Sequence, residues 1–381
     1  MRDIYPDSEI LGILALERPG EFPVGEGRFV RELLRRGRRT GLTAIAFDPR
    51  TWDPSDDSVR GWTLQSDGEG WQSGRYGVPG LLYDRAWPET ASEHERFRHA
   101  LRRLEDGRKL RRLNGKLPHK GRVHALLAQE PELDRLLPPT QAYAGPASFS
   151  RWLDHAGGSA FLKPAGGSQG RRVAACVRES DGSVLIRGRR ADNRSFEVSF
   201  RSMAAASAKL HRWIGRRSYI MQPLLDLTGE GGAPYDIRAL VQKNGRGRWT
   251  VTGIAARIGR PGTVTANLHG GGRAEPAETV LAAAHGASKA EELLAEIRRA
   301  CLLIVRRLER HCGRLAELGL DFGVDRSGRL WFLEANSKPG RQAMAGISAE
   351  TAARSTERPI DYARFILLRP RGRVIHEFDH L

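Results

Sequence analysis

The sequence has little of what marks several classes of protein. Its three cysteines, Cys176, Cys301 and Cys312, are scattered without CxxC spacing, which fits neither a disulfide framework nor a zinc site. No run of about 18 apolar residues is present that could span a bilayer. The first ten residues carry carboxylates where a secretory signal has a basic start and an apolar stretch. We therefore expect a soluble protein of the reducing cytoplasm.

Lysine is also scarce in this sequence. Only eight of the 62 basic residues are lysine, so the formal net charge of +17 rests on arginines spread from Arg2 to Arg373. Positive charge attracts polyanions, but no module that reads nucleic acid is recognisable. The densest basic stretch, residues 102–112, is interpreted as a solvated face, with an anion-attracting surface as the alternative. A nucleic-acid partner is therefore not the expected one.

The opening of the chain predicts an α/β unit. At 381 residues the chain is long enough for two or three packed units. Short apolar runs at 10–16 and 42–47 flank a helical pattern at 29–41, which predicts a largely parallel sheet. Two further strands are expected at 59–64 and 80–87, separated by a glycine-rich stretch.

Beyond this unit the pattern changes twice. A charged helical layer over 91–137 ends at Pro138 and Pro139, and two lobes of strands and helices follow. Strands are predicted at 160–164, 171–177, 218–224, 235–242 and 249–259, helices at 200–212 and 289–312, and a closing hairpin at 319–340. The expected domains are an N-terminal α/β unit over 1–90, a helical linker over 91–145, a first lobe over 146–225 and a second lobe over 226–381.

The closing hairpin carries the most informative residues. Asp321 lies on one strand of GLDFGVD, and Glu334 and Asn336 lie on the other strand, RLWFLEAN. Residues two apart in a strand share a face, so these three oxygen ligands can converge. Mg²⁺ is held by one or two carboxylates together with nucleotide phosphates and water. The alternative is a surface hairpin of alternating polarity, although a buried Glu334 would need a partner.

A second informative segment is FLKPAGGSQGRRV. Lys163 ends an apolar strand just before a loop in which glycines let the backbone approach phosphate closely. The lysine would supply a compact positive charge to that phosphate. The segment lacks the GxxxxGK[ST] spacing, which argues against a P-loop. Taken alone, it could equally be an ordinary glycine-rich hairpin.

Further candidates follow along the chain. The backbone from Gln222 to Leu225 forms a strand edge suited to pairing with adenine. Asp236 and Arg238 share a strand face, where the acid could accept from a ribose hydroxyl and the arginine could neutralise phosphate or a substrate carboxylate, unless they form a surface ion pair. Arg257 at a strand end would face a transferring phosphoryl group, and Asn267 would orient it. His269 is interpreted as structural rather than catalytic.

In this order the segments resemble the ATP-grasp superfamily, including RimK-type amino-acid ligases. They are most similar to the YheC/YheD family of endospore-coat-associated ATP-grasp proteins. The resemblance is strong from about Leu81 onward and looser before it. It is carried by YDRAW, LKPAGGSQGRRV, PYDIRALVQKNGRGRWTVTGIAARIG, TANLHGGG and LGLDFGVDRSGRLWFLEANSKPGR. It implies an ATP-grasp fold of α+β lobes behind an N-terminal α/β pre-ATP-grasp domain.

The resemblance also implies roles for individual residues. ATP would be held by Lys120, Lys163, Ser168, Gln222, Pro223, Leu224, Leu225 and Asp236, and one or two Mg²⁺ ions by Asp321, Glu334 and Asn336. The catalytic residues would be Arg238, Arg257 and Asn267. One departure concerns Lys120, which follows His119 where the family has an asparagine–lysine pair.

The expected activity is Mg-ATP-dependent joining of a carboxylate to an amine through an acyl phosphate, on an amino acid or a peptide. Arg28, Arg85 and Arg238 are candidates for a clamp on the substrate carboxylate. The alternative from a different class is a spore-coat or assembly protein that keeps the fold, and perhaps the nucleotide, without catalysis. The sequence identifies neither the substrates nor the oligomeric state.

Overall fold

The computed structural model describes residues 9–166, 171–263, 266 and 271–368. These residues form one sheet with a parallel centre and two antiparallel sheets, with helices packed against them. None of the helices among the described residues is both long and apolar enough to cross a membrane.

The N-terminal sheet contains the parallel pattern that the sequence predicts. Its elements are β1 (Leu11–Leu14), α1 (Gly27–Arg39), β2 (Ala44–Phe47), β3 (Ser58–Leu64), β4 (Trp71–Gly77), β5 (Leu81–Asp84), α2 (Ala91–Glu105) and β6 (Arg111–Arg112). The strand order is β4-β3-β2-β1-β5-β6, and β1 is parallel to β2 and β5. Every residue of β1, β2 and β5 is buried, as expected for parallel strands.

Strand β4 corrects the sequence interpretation. The glycine-rich stretch between the two predicted strands forms this strand, which pairs antiparallel with β3 along its whole length. Gln72, Ser73 and Arg75 are exposed, and no residue of β4 is fully buried. A strand at the sheet edge needs little apolar surface, so it leaves no hydrophobic alternation in the sequence.

The middle part of the chain builds an antiparallel sheet. Its elements are α3 (Lys120–Leu127), α4 (Pro131–Asp134), β7 (Gln141–Ala142), α5 (Pro146–His155), β8 (Ser159–Pro164), β9 (Ala174–Arg178), β10 (Val184–Arg189), β11 (Ser195–Phe200), α6 (Met203–Ile214) and β12 (Tyr219–Gln222). The strand order is β11-β10-β9-β8-β12-β7. The sequence analysis predicts β8, β9 and β12 but misses β10 and β11, and the helix predicted from residue 200 begins at Met203.

The third sheet completes the fold. Its elements are β13 (Tyr235–Lys243), β14 (Trp249–Ile258), β15 (Arg273–Pro276), α7 (Ala277–His285), α8 (Ala287–Cys312), β16 (Glu317–Val324), β17 (Leu330–Asn336), α9 (Gln342–Ala345) and α10 (Ala349–Leu367). The strand order is β15-β14-β13-β16-β17. Helix α8 packs against it through a buried face of Leu293, Ile297, Ile304 and Leu308.

The predicted closing hairpin is present but does not end the fold. Helices α9 and α10 follow it, and Ile360, Ala363 and Leu367 of α10 join the core beneath the N-terminal sheet. Arg36 of α1 bonds Asp361 of α10, with 3.0 Å between Nη2 and Oδ1. The last helix therefore packs on the first unit of the chain, and the domain boundaries remain a prediction.

Candidate active site

A cavity of about 590 Å³ opens between the middle and third sheets. Its volume lies within the range of about 300–1,000 Å³ typical of small-molecule sites. One wall is apolar and comes mainly from alternate residues of β8, β9 and β10, which point to the same side of their sheet. This wall includes Phe161, Ala175, Val177 and Leu185. The opposite wall is polar and comes from β13, β14 and the β16–β17 hairpin.

The hairpin brings its three predicted ligands together. Asp321 lies directly opposite Glu334 in the strand pairing, beside a bulge, and both carboxylates line the cavity. Asn336 lies two residues further along β17, and its Nδ2 donates to Oε1 of Glu334 at 3.1 Å. The predicted convergence of these side chains is therefore seen in the structure.

Glu334 is held by a lysine from another element. Lys120 is the first residue of α3, and its Nζ lies 2.7 Å from Oε2 of Glu334. Burial opposes ionisation of Glu334, but Lys120 and Lys163 outweigh that effect and hold the pKa of the carboxyl below its usual range. The backbone N–H of Lys120 donates to the carbonyl of Ala165 at 3.1 Å, which places this lysine beside the glycine-rich turn.

Lys163 reaches the same hairpin from the opposite wall. It lies near the end of β8 with only 8% of its surface exposed, and its Nζ donates to the carbonyl of Leu333 at 3.2 Å. Burial lowers the pKa of Lys163 to about 8; Lys120 adds to the shift, while Glu334 and Asp321 oppose it. The ammonium group of Lys163 therefore lies against the hairpin, next to the residue that carries the Glu334 carboxylate.

Two arginines and two aspartates form a buried network beside the hairpin. Arg238 binds Asp321 with two hydrogen bonds, one of them 2.9 Å between Nη2 and Oδ2. Arg257 binds Asp236 in the same forked manner, at 2.6 and 2.7 Å, and its Nη2 also lies 3.0 Å from Oδ2 of Asp321. Burial opposes the charge of Arg257, yet the two carboxylates raise its pKa above the ordinary value.

The predicted adenine edge also borders the cavity. Strand β12 ends at Gln222, and Gln222, Pro223, Leu224 and Leu225 are among the lining residues. The side-chain amide of Gln222 donates to Oγ1 of Thr140 at 2.8 Å. The segment therefore borders the cavity, and the pairing of its backbone with a base stays a prediction.

Some of the remaining predicted residues lie outside the described residues, and others are described but do not line the cavity. Ser168, Asn267 and His269 lie outside the described residues. Arg28 and Arg85 are described, but neither is among the residues that line the cavity. Arg85 is 1% exposed, and its Nη2 lies 2.8 Å from Glu26.

These positions show which partners the arginines of the predicted carboxylate clamp have, and the clamp itself stays a prediction. Arg85 and Arg238 are each engaged by carboxylates of the chain itself, at Glu26 and Asp321 respectively. Sequence shows where a charge lies along the chain but not which partner folding brings to it. Arg171, Arg187 and Tyr235 border the cavity and were not predicted to do so. Arg171 and Arg187 lie two residues from Val173 and Leu185, which also line the cavity, and Tyr235 directly precedes Asp236.

The donor set of the hairpin fits a hard cation. Among the described residues, no group of three or more His, Cys, Asp or Glu side chains is placed to hold a metal ion. Two carboxylates and one amide oxygen are nevertheless the kind of partial ligand set that Mg²⁺ uses when phosphates and water complete its coordination. The fit is therefore to a metal that arrives with a phosphate ligand.

Comparison with known proteins defines the class to which this fold belongs. The solved structure of the ATP-grasp ligase PsnB, complexed with a minimal precursor, Mg and ADP, aligns with 95% of this chain and 99% of its own, with a TM-score of 0.52 and 14% identity. At that identity the likeness shows the fold alone. The chain has the ATP-grasp fold, a fold found in ligases that bind nucleotide.

The family follows from the sequence. The family model described as YheC/D like ATP-grasp matches residues 109–366, so the chain belongs to that family. It is similar to endospore coat-associated protein YheD of Bacillus subtilis (strain 168), with 24% identity over 355 residues that cover 93% of this chain and 76% of YheD. It is also similar to YheC of the same organism, with 26% identity over 346 residues that cover 89% of this chain and 91% of YheC. The resemblance stated from the motifs is confirmed.

Proposed function

We propose that the protein is a Mg-ATP-dependent carboxylate–amine ligase. The observation that carries the proposal is the arrangement of one cavity, in which an apolar wall faces Asp321 and Glu334 and Lys163 extends from that wall to the hairpin. An apolar slot ending in lysines and carboxylates suits a nucleotide whose base is buried and whose phosphates carry a hard metal.

In the proposed complex the base lies against the apolar wall and pairs with the backbone of Gln222 to Leu225. Asp236 accepts from a ribose hydroxyl. The phosphates lie toward Lys163, Lys120 and Arg257, where positive side chains offset their charge. Asp321, Glu334 and Asn336 would hold one or two Mg²⁺ ions, which further offset the charge on the transferring oxygens.

The proposed chemistry needs no covalent enzyme nucleophile. An oxygen of the substrate carboxylate attacks the γ-phosphorus in line, the bond to the bridging oxygen of ADP breaks, and an acyl phosphate forms. An amine then attacks the acyl carbon, phosphate leaves, and an amide remains after the amine loses a proton. Arg257 and Lys163 stabilise charge as it spreads over the transferred group, and enclosure between the sheets excludes water from the acyl phosphate.

The test is ADP release by the purified full chain with pooled amino acids and short peptides, followed by mass spectrometry of the products. The proposal predicts ADP formation that depends on both a carboxylate and an amine, together with an amide product lighter by one water than the sum of its reactants. Nucleotide that binds without any product under all these mixtures would contradict it.

A second candidate is favoured by the names of the relatives. YheC and YheD are both described as endospore coat-associated. In that candidate this chain keeps the ATP-grasp fold, acts in or on the spore coat and catalyses nothing. Mass spectrometry separates the two, because only the ligase makes an amide. Amino-acid or peptide substrates are part of the first proposal, supported by the precursor peptide in another PsnB complex. A cytoplasmic location with spore association is also part of it, supported by the endospore coat association of the relatives.

Nucleotide affinity is expected to fall as pH rises above about 8. Lys163 in the free protein loses its proton near a pKa of about 8, whereas an ordinary lysine keeps it to about 10.4. The protonated form is the one that binds phosphate, so affinity is full below this pKa. One pH unit above it, affinity should be about tenfold weaker.

Calorimetry with a non-hydrolysable ATP analogue at pH 7, 8 and 9 measures this dependence. Lys163→Met should bind more weakly at pH 7 and show little further loss at pH 9. A parent protein whose affinity is the same at all three pH values, while Lys163→Met weakens binding, would show that Lys163 binds phosphate but does not titrate in this range.

A further inference from the structure

We propose that metal binding at this site is conditional on nucleotide, because the carboxylates that would hold Mg²⁺ are occupied by cations of the chain itself. The inference rests on the proposed function and adds an order of binding to it: the nucleotide first draws Lys120 away from Glu334, and only then is Glu334 open to a metal. Lys120 thereby acts as an exchanging residue, and a bare divalent ion binds poorly.

The first observation is that both carboxylate oxygens of Glu334 are bonded within the chain. Its Oε2 lies 2.7 Å from the ammonium group of Lys120, and its Oε1 accepts from the amide of Asn336 at 3.1 Å. Both carboxylate oxygens therefore have partners within the chain. Asn336 and Glu334 are bonded to each other and can turn to a metal together, but the lysine must first leave.

The second observation is that Asp321 is bound by two arginines. It is 2% exposed, Arg238 binds both of its oxygens, and Arg257 approaches Oδ2 to 3.0 Å. A forked arginine–carboxylate pair is geometrically specific and holds its partner firmly. Lys120, by contrast, carries a single point charge on a flexible stem that can rotate to a new partner. Lys120 is thus the cation best able to exchange.

The third observation is the charge of the site. The carboxylates of Asp236, Asp321 and Glu334 meet four cations, Lys120, Lys163, Arg238 and Arg257, which leaves one net positive charge. Such a surrounding repels a bare divalent cation and attracts a polyphosphate. The triphosphate offers oxygens to Lys120, whose backbone lies against the turn at Ala165. The triphosphate therefore draws Lys120 from the carboxylate first, and Glu334 is then open to a metal that the phosphates also bind.

The experiment measures Mn²⁺ binding to the full chain by water-proton relaxation, which separates protein-bound Mn²⁺ from the Mn²⁺–nucleotide complex. In the parent, a non-hydrolysable ATP analogue should tighten Mn²⁺ binding by at least about a hundredfold. Lys120→Met removes the competing charge, so its nucleotide-free Mn²⁺ binding should be at least about tenfold tighter than that of the parent. Lys209→Met, at an exposed lysine of α6, is the matched control and should behave as the parent.

Two results would overturn the inference. One is a parent that binds Mn²⁺ equally well with and without nucleotide; the other is a folded Lys120→Met variant whose nucleotide-free Mn²⁺ affinity equals that of the parent. If Lys120→Met does not fold, the parent protein alone still tests the inference. The parent should bind the analogue in EDTA but should not bind Mn²⁺ alone. If the parent bound no nucleotide at all, the proposed function would be wrong instead. Calorimetry of the analogue without metal identifies that case.

Discussion

Glu334→Gln is expected to lower ADP formation by roughly a hundred- to a thousandfold, the range seen when one group that stabilises a transferring charge is removed. The change keeps the size of the side chain and its bond to Asn336 but removes the negative charge that a metal requires. It also leaves Lys120 without its 2.7 Å partner, so that lysine remains free for phosphate. Nucleotide binding without metal should therefore be retained or strengthened while turnover is lost.

The control for this change is Glu291→Gln, at an exposed position of α8 that does not line the cavity. It should turn over at the parent rate. Steady-state ADP release measures turnover, and calorimetry in EDTA measures nucleotide binding without metal. If Glu334→Gln turned over as fast as the parent, the metal assignment at this hairpin would be wrong.

Arg257→Met is expected to lower the free energy of unfolding by about 3–5 kcal/mol, the cost of breaking a buried ion pair from one side. Arg257 is 8% exposed and donates two bonds to Asp236, with a third contact to Asp321. Its loss leaves Asp236 buried without that partner. Urea denaturation followed by circular dichroism measures the change.

A double-mutant cycle isolates the cause of that destabilisation. Asp236→Asn in the Arg257→Met background should recover part of the lost stability, because the uncompensated charge is removed together with its partner. Asp236→Asn alone should be destabilising. Additive losses in the double variant would show that the two side chains do not depend on each other, against the geometry of the pair.

The convergence of Asp321, Glu334 and Asn336 was predictable because strand periodicity is local. Two residues on one strand face and one on the neighbouring strand need only a short turn to meet, and the turn at Asp325 is encoded in the same segment. The position of Lys163 at the end of an apolar strand was predictable for the same reason. Features that depend on a few neighbouring residues can be read directly from sequence.

The partners of these residues were not predictable, since they come from distant parts of the chain. Lys120 meets Glu334 from a helix more than 200 residues away, and only the family resemblance, not its own pattern, pointed to it. From the sequence, Arg238 could equally have bound phosphate or a substrate carboxylate. It binds Asp321 because β13 pairs with β16. A charge in a sequence indicates a need for a partner without identifying it.

Strand β11, at the edge of the middle sheet, was missed although its sequence, SFEVSF, alternates polar and apolar residues. The strand is mostly exposed, and Val198 is 41% exposed, so the local alternation did not show what the strand would pack against. Part of the basic stretch at 102–112 is paired within the chain, for example Arg112 with Glu105, so not all of its charge is available to an outside anion. Arg108 likewise lies over the ring of Trp52 at 4.7 Å.

A crystal structure of the protein with Mg²⁺ and a non-hydrolysable ATP analogue tests the proposed nucleotide site most directly. The base should lie between the apolar wall and the backbone of Gln222 to Leu225. The phosphates should lie at Lys163, and a metal should be bound by Asp321 and Glu334, with Lys120 moved from Glu334 to a phosphate oxygen. A nucleotide bound outside this cavity, or a metal held away from the hairpin carboxylates, would contradict the proposed site.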